Sequence, residues 1–217
     1  MRNTPPVVKN LIILNALMLV MTFFTGDFMY EKFSLFALES PFFKPYQLVT
    51  HMFMHGDFFH LFFNMFTLWM FGCVLENVWG SKKFLLYYFV TGLGAAFLHM
   101  LVQQIEYVYL ADAVNQGVQG ARMSLKMLLS TPTVGASGAI YGVLLGYGML
   151  FPNNIIQMIF PPIALKAKWF VLIFGVMELV MGLSNSGGNI AHFAHLGGMI
   201  FGLILILYWK KKNKLYY

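Results

Sequence analysis

Four polar residues set in apolar surroundings have the types and spacing that acyl transfer needs: Ser137, His195, His60 and Asn64. A serine hydroxyl is a weak nucleophile until a base takes its proton, and a neutral imidazole can do that near physiological pH. The oxyanion formed next needs fixed donors. His60 and Asn64, at i and i+4 on one helical face, offer two, and the backbone N–H of Ser137, at the start of a helix, offers a third. No acid with a recognisable route to His195 accompanies them, so the pattern reads as a Ser137–His195 dyad. Tyr141, one turn after Ser137 on the same face, is placed to hold the imidazole by ring packing. No cofactor or metal is expected. The His-Glu-x-x-His spacing of metalloproteases is absent, and the single cysteine, Cys73, excludes a disulfide framework or a multi-cysteine zinc site.

The elements that hold these residues must lie in lipid. Of the 217 residues 59% are hydrophobic and 10% charged, with a mean hydropathy of +0.70. That leaves too little polar surface to coat a water-soluble globule, for which about 25% charge is usual. Six apolar stretches are predicted as membrane helices: Leu11–Phe24, Phe58–Trp79, Phe84–Val102, Val134–Phe151, Trp169–Leu183 and Ile190–Trp209. They form a single membrane domain over residues 1–217, an all-α bundle with long external loops. The first stretch follows Arg2 and Lys9 but lacks a small-x-small cleavage site in Met21–Asp27, so a retained helix is expected rather than a signal peptide. Sorting Lys and Arg by alternate connections puts ten on one side (Arg2, Lys9, Lys82, Lys83, Lys166, Lys168, Lys210, Lys211, Lys212, Lys214) and four on the other (Lys32, Lys44, Arg122, Lys126). This bias predicts both termini in the cytoplasm. It also explains the +6 net charge as topology rather than affinity for nucleic acid. Two external connections are long, Thr25–Asp57 and Gln103–Thr133; the aromatics of the first suit a segment lying in the interface.

Depth along the helices tests whether the polar residues converge. Asn64 lies 16 residues before Gly80, Ser137 lies 15 before Pro152 and His195 lies 15 before Lys210. All three stand about 22–24 Å above the inner surface at 1.5 Å per residue. Gly138, Gly142 and Gly146 form one small-residue stripe, Gly198 and Gly202 another. Such stripes let helix backbones approach closely in lipid. If the two stripes face each other, Ser137 and His195 become neighbours.

These motifs resemble the rhomboid intramembrane serine proteases from about Thr50 to Gly202: His55, His60 and Asn64 in HGDFFHLFFN; Gly72, Glu76 and Gly80 in GCVLENVWG; Gly135-Ala136-Ser137-Gly138 with Tyr141; and Ala194-His195 with Gly198 and Gly202. The resemblance implies a six-helix rhomboid-like bundle with Ser137 as nucleophile, His195 as base, and His60, Asn64 and the Ser137 amide as oxyanion hole. It further implies that the fifth span gates lateral admission of transmembrane protein substrates and that the Thr25–Asp57 loop lies half in the membrane. Tyr46-Gln47 stands where many family members carry Trp-Arg, which concerns anchoring of that loop.

The remaining polar residues read as structural. Glu76 is expected to pin the cytoplasmic end of the second span, and His51 and His55 to organise the first loop by hydrogen bonding. Cys73 reads as packing, His192 as a supporting or rim residue, and His99 and Glu178 have no partner recognisable from sequence. The competing readings are a proton-coupled transporter built on the histidines and glutamates, and a catalytically inactive rhomboid-like binding protein. A multi-pass protein of a bacterial inner membrane is expected, its active site opening to the external side; sequence leaves its oligomeric state open. In a Cys73→Ser background, Gln116→Cys is expected to react with a membrane-impermeant thiol reagent on intact cells and Asn213→Cys to be protected. The opposite pattern would invert the charge-based orientation.

Overall fold

The computed structural model describes residues 4–158, 162–184 and 189–215, so Arg2 and both ends of the 1–217 domain lie outside the described residues. The chain is mostly helical: α1 (Pro6–Thr25), α2 (Asp27–Phe33), α3 (Gln47–Thr50) running into a 3-10 turn at His51–Phe53, α4 (Phe58–Thr67), α5 (Cys73–Trp79), α6 (Ser81–Asn115), α7 (Ala121–Ser130), α8 (Ser137–Leu150), α9 (Ala167–Leu183) and α10 (Asn189–Lys211). Between α8 and α9 a short antiparallel pair, β1 (Ile155–Gln157) and β2 (Ala164–Lys166), corrects the all-α expectation locally. Four helical stretches are long and apolar enough to cross a membrane: α1, the continuous run Phe58–Trp79, α6, and His192–Lys211 of α10. The outward surface is apolar, with Phe23 89% and Phe59 69% exposed, as a lipid-facing surface requires.

Each of the six predicted apolar stretches falls on a helix, but three differ instructively. The second is one rod joined by a π-helical turn at Leu68–Gly72. The third does not stop at Val102; α6 continues through Asn115, because polar residues end an apolar stretch without ending helix propensity. It ends near Gly117 and Gly120, both at positive φ. The fourth begins at Ser137 rather than Val134, since Gly135 sits at φ 130°, outside any helical conformation. With 14 residues, α8 is about 21 Å long, shorter than a roughly 30 Å hydrocarbon core.

The packing centre is α6, which contacts both α8 and α10. The glycine stripes converge as expected at their upper ends, where a β-carbon on Gly198 would stand 1.8 Å from the Gly138 carbonyl oxygen. Lower down they do not meet each other. Gly142 faces Thr91 and Gly202 faces Tyr87, both on α6, because the Tyr87 and Thr91 side chains occupy the space between the diverging helices. Tyr87 there donates a 2.8 Å hydrogen bond to the Gly142 carbonyl.

The loops are tied down by buried polar side chains. Gln47 is fully buried; its amide N–H groups donate to the carbonyls of Phe42 (3.0 Å) and Glu31 (3.2 Å), and its Oε1 accepts from the Lys44 N–H (3.1 Å). It thus anchors the connection between α1 and α4. His99 pairs through Nε2 with the Thr133 hydroxyl at 2.8 Å, and Thr133 bridges to Leu35, so α6 holds both long connections. Glu76 pins its end of α5, as expected. Its carboxylate accepts the first-turn N–H groups of Val7 (3.0 Å) and Val8 (2.8 Å) and the Ser81 hydroxyl (2.7 Å). An anion at a helix N-terminus satisfies otherwise orphaned donors and complements the helix dipole. Glu76→Ala is therefore expected to lower unfolding stability by about 3 kcal/mol, read as a lower thermal midpoint in detergent. An unchanged midpoint would mean that α1 is held by its apolar contacts alone.

Candidate active site

Ser137 is the first residue of α8, and its placement follows from the three residues before it. Gly135 at φ 130° turns the chain, its N–H donating to the His51 carbonyl at 3.0 Å, and Ala136 leads into the helix. A side chain at Gly135 would be strained by that φ and would meet the His60 ring at 3.0 Å. From α10, His195 brings Nε2 to 2.8 Å from Ser137 Oγ. The Tyr141 ring lies flat on the imidazole, centroids 4.2 Å apart and planes at 7°. The expected contacts of Ser137, His195 and Tyr141 are thus all present.

On the other side of the serine stands the start of α4. Asp57 caps this helix by accepting the His60 N–H at 2.8 Å. The Gly56 N–H points at His60 Nδ1 from 3.4 Å, which leaves Nε2 as the protonated nitrogen, directed toward Gly135. His60 Nε2 and Ser137 Oγ lie 3.0 and 3.5 Å from one common point, the position a Gly135 β-carbon would occupy. Asn64, buried one turn below, donates one amide N–H to the His60 carbonyl at 3.0 Å and keeps the other available. His51 organises the loop as expected, its Nδ1 2.8 Å from the Gln47 carbonyl. His55 does so through its backbone carbonyl rather than its ring, whose nitrogens have no well-aligned hydrogen-bond partner among the described residues. Its buried ring packs edge-on against His60, centroids 4.9 Å apart, while its carbonyl accepts from Tyr30. Burial pushes both imidazoles down to about 4, so they are neutral at ordinary pH.

The structure also supplies the acid that sequence reasoning missed. Glu178 of α9 is buried; it accepts the Tyr141 hydroxyl on Oε1, while Oε2 stands 2.5 Å from His192 Nδ1 and 3.1 Å from His195 Nδ1. His192 is therefore a supporting residue bound to this carboxylate. A sequence signal existed: Gly175 and Gly182 flank Glu178 at i−3 and i+4, so it lies on the small-residue face of α9 that packs on Met199, His192 and Phe193 of α10. Glu178, His192 and His195 each present a donor atom within 4.8 Å of the others, the one trio among the described residues spaced to hold a metal ion. A cavity of about 30 Å³ adjoins the pair, lined by His51, Thr133, Gly135, Ser137 and His195 among others.

A helical membrane bundle with a serine at a helix start and a stacked histidine facing it defines the class of molecule. A rhomboid domain family model matches residues 43–212, and the chain belongs to the rhomboid family. Rhomboid protein 1, mitochondrial, from Saccharomyces cerevisiae is 27% identical over 171 residues, 76% of this chain and 42% of that protein. RHOMBOID-like protein 12, mitochondrial, from Arabidopsis thaliana is 30% identical over 195 residues, 88% of this chain and 55% of that protein. Presenilin-associated rhomboid-like protein, mitochondrial, from Bos taurus is 28% identical, covering 77% of this chain and 40% of that protein. The chain thus spans roughly half the length of these relatives. Their names place them in mitochondria, which does not fit the expectation of a bacterial inner membrane.

The active-site geometry makes the glycines unequal. At Gly198 an added methyl would strike rigid backbone, whereas at Gly146 it would meet side-chain atoms at 3.1–3.2 Å. Gly198→Ala is expected to separate α8 from α10 and cost about 3 kcal/mol, Gly146→Ala about 1 kcal/mol or less, read from thermal unfolding in detergent. Equal effects would show that the backbone contact is not the limiting one.

Proposed function

We propose that the protein is an intramembrane serine endopeptidase that hydrolyses peptide bonds within or near transmembrane segments of membrane-protein substrates. The observation that carries this reading is the 2.8 Å contact between His195 Nε2 and Ser137 Oγ. Ser137 Oγ attacks the scissile carbonyl carbon as its proton passes to His195 Nε2. The resulting oxyanion takes N–H donors from His60 Nε2, the Asn64 amide and the Ser137 backbone. When the intermediate collapses, the C–N bond breaks and His195 gives its proton to the leaving amine. Water then enters and attacks the acyl carbon as it loses a proton to His195, and the C–Oγ bond breaks as His195 returns that proton to Ser137 Oγ. The cavity beside Ser137 is large enough for that water, and within its mainly apolar lining Ser137, His195 and Thr133 offer it polar partners.

The short α8 supports placing this chemistry below the membrane surface, with access for water from one side. The reading includes six spans, the fourth and fifth being α8 and α9, both termini on the side of the lysine-rich connections, and the active site opening to the other. Substrates are other transmembrane proteins, whose scissile region must unwind to an extended strand to reach Ser137. Family membership and the paired Ser137 and His195 favour this reading over a binding protein or a transporter.

The test is labelling with a serine-directed fluorophosphonate, mapped by mass spectrometry, alongside cleavage of single-span membrane proteins. Ser137→Ala and His195→Ala are expected to abolish both. Asn64→Ala should lower turnover by about 10²–10³, the usual cost of one oxyanion donor, and His192→Ala should retain much of the labelling. Label on another serine, or undiminished in Ser137→Ala, would overturn the assignment.

A further inference from the structure

The proton on His195 has to be somewhere, and its location decides whether Ser137 can react. To accept the serine proton, Nε2 must be bare, so the neutral ring must carry its hydrogen on Nδ1. Nδ1 is buried and has no aligned hydrogen-bond partner among the described residues. A buried N–H without an acceptor costs free energy, and that cost would favour the unreactive tautomer. The acceptor within reach is Glu178 Oε2, 3.1 Å away and off the ideal hydrogen-bond line.

We propose that Glu178 is a positioning residue for the base, holding His195 with its proton on Nδ1 and its ring flat on Tyr141, so that the dyad works as a serine–histidine–glutamate relay of contacts. This rests on the protease reading above. Three contacts of one carboxylate support it. Oε2 faces His195 Nδ1, where it stabilises the imidazolium formed as Nε2 takes the serine proton; the carboxylate itself stays ionised throughout. Oε1 accepts the Tyr141 hydroxyl, which fixes the ring on which His195 stacks. His192 Nδ1, 2.5 Å from the same Oε2, holds the carboxylate in place and takes up part of its charge, which explains why a second histidine stands one turn from the first. The acid is carried by α9, a different helix from either member of the dyad, so the base is fully assembled only when α9 is packed on α10.

The experiment uses the full chain in detergent. Glu178→Gln keeps the size and an acceptor for Tyr141 but replaces the charge with an amide that can turn an N–H toward His195. It is expected to lower kcat and the rate of fluorophosphonate labelling of Ser137 by about 10²-fold with KM within about twofold. That is less than the roughly 10⁴-fold found when a triad aspartate becomes asparagine, because the contact to Nδ1 is off-line. Nitrogen-15 NMR of histidine-labelled protein, with His195→Ala for assignment, is expected to place the proton on Nδ1 in the parent chain and on Nε2 in Glu178→Gln. Labelling of Glu178→Gln at the parent rate, or a parent His195 protonated on Nε2, would overturn the proposal. So would a change in KM alone. The parent spectrum decides the matter even if Glu178→Gln fails to fold. A parent chain that fluorophosphonates do not label would instead overturn the protease reading, leaving the spectrum to decide what Glu178 does to His195.

Discussion

Where α8 and α10 cross, the Gly138 carbonyl oxygen occupies the space that any β-carbon at position 198 would need, 1.8 Å from that atom's ideal position. The two backbones touch one residue below Ser137 and three below His195. In lipid, helix association draws on close packing rather than on a hydrophobic drive, so this contact between small residues sets the separation. At that separation two short side chains, a serine and a histidine, span the gap with a 2.8 Å hydrogen bond. A wider crossing would leave the pair apart whatever its chemistry. The neighbouring glycines serve the same end by admitting α6: Thr91 and Tyr87 fill the cleft that opens below the crossing, and at Gly197 a β-carbon would stand 2.8 Å from the Gly94 carbonyl oxygen of α6.

Around this crossing, buried polar groups are matched rather than avoided. Glu76 accepts two first-turn N–H groups of α1, Gln47 fastens the connection between α1 and α4, and His99 joins α6 to Thr133. Each satisfies donors or acceptors that would otherwise be buried unpaired. The intramembrane polar residues therefore divide into two sets. One fastens helix ends and loops, and the other, comprising Ser137, His195, His192, Glu178, His60 and Asn64, gathers at the top of α8.

The gathering combines rigid and soft supports. His60 is fixed from both sides, by the Asp57 cap and by Gly135, whose positive φ leaves room for the imidazole. His195 is fixed by the Tyr141 stack and by its place on α10. Glu178 comes from α9, whose exposed residues Val176, Met177, Leu179 and Val180 leave most of that helix facing outward. The carboxylate is thus carried by a helix largely turned outward.

Much of this was legible in the residues themselves. Hydropathy located the helices because lipid demands long apolar stretches, and counting 1.5 Å per residue put Ser137 and His195 at one level because helices have a fixed rise. The glycine stripes marked which faces approach, since only small residues permit backbone contact. What counting could not supply was lateral order. Glu178 lies between two glycines on α9, yet nothing in its own stretch says that α9 docks beside His195 rather than elsewhere on the bundle. Nor could the pattern show that α6 would wedge Tyr87 and Thr91 between the lower halves of the stripes, or that the His55 ring would pack edge-on against His60. Periodicity and depth are properties of one helix at a time and are set by local backbone geometry. The neighbours of a buried carboxylate depend on how all the helices share a finite volume, and only the tertiary structure decides that.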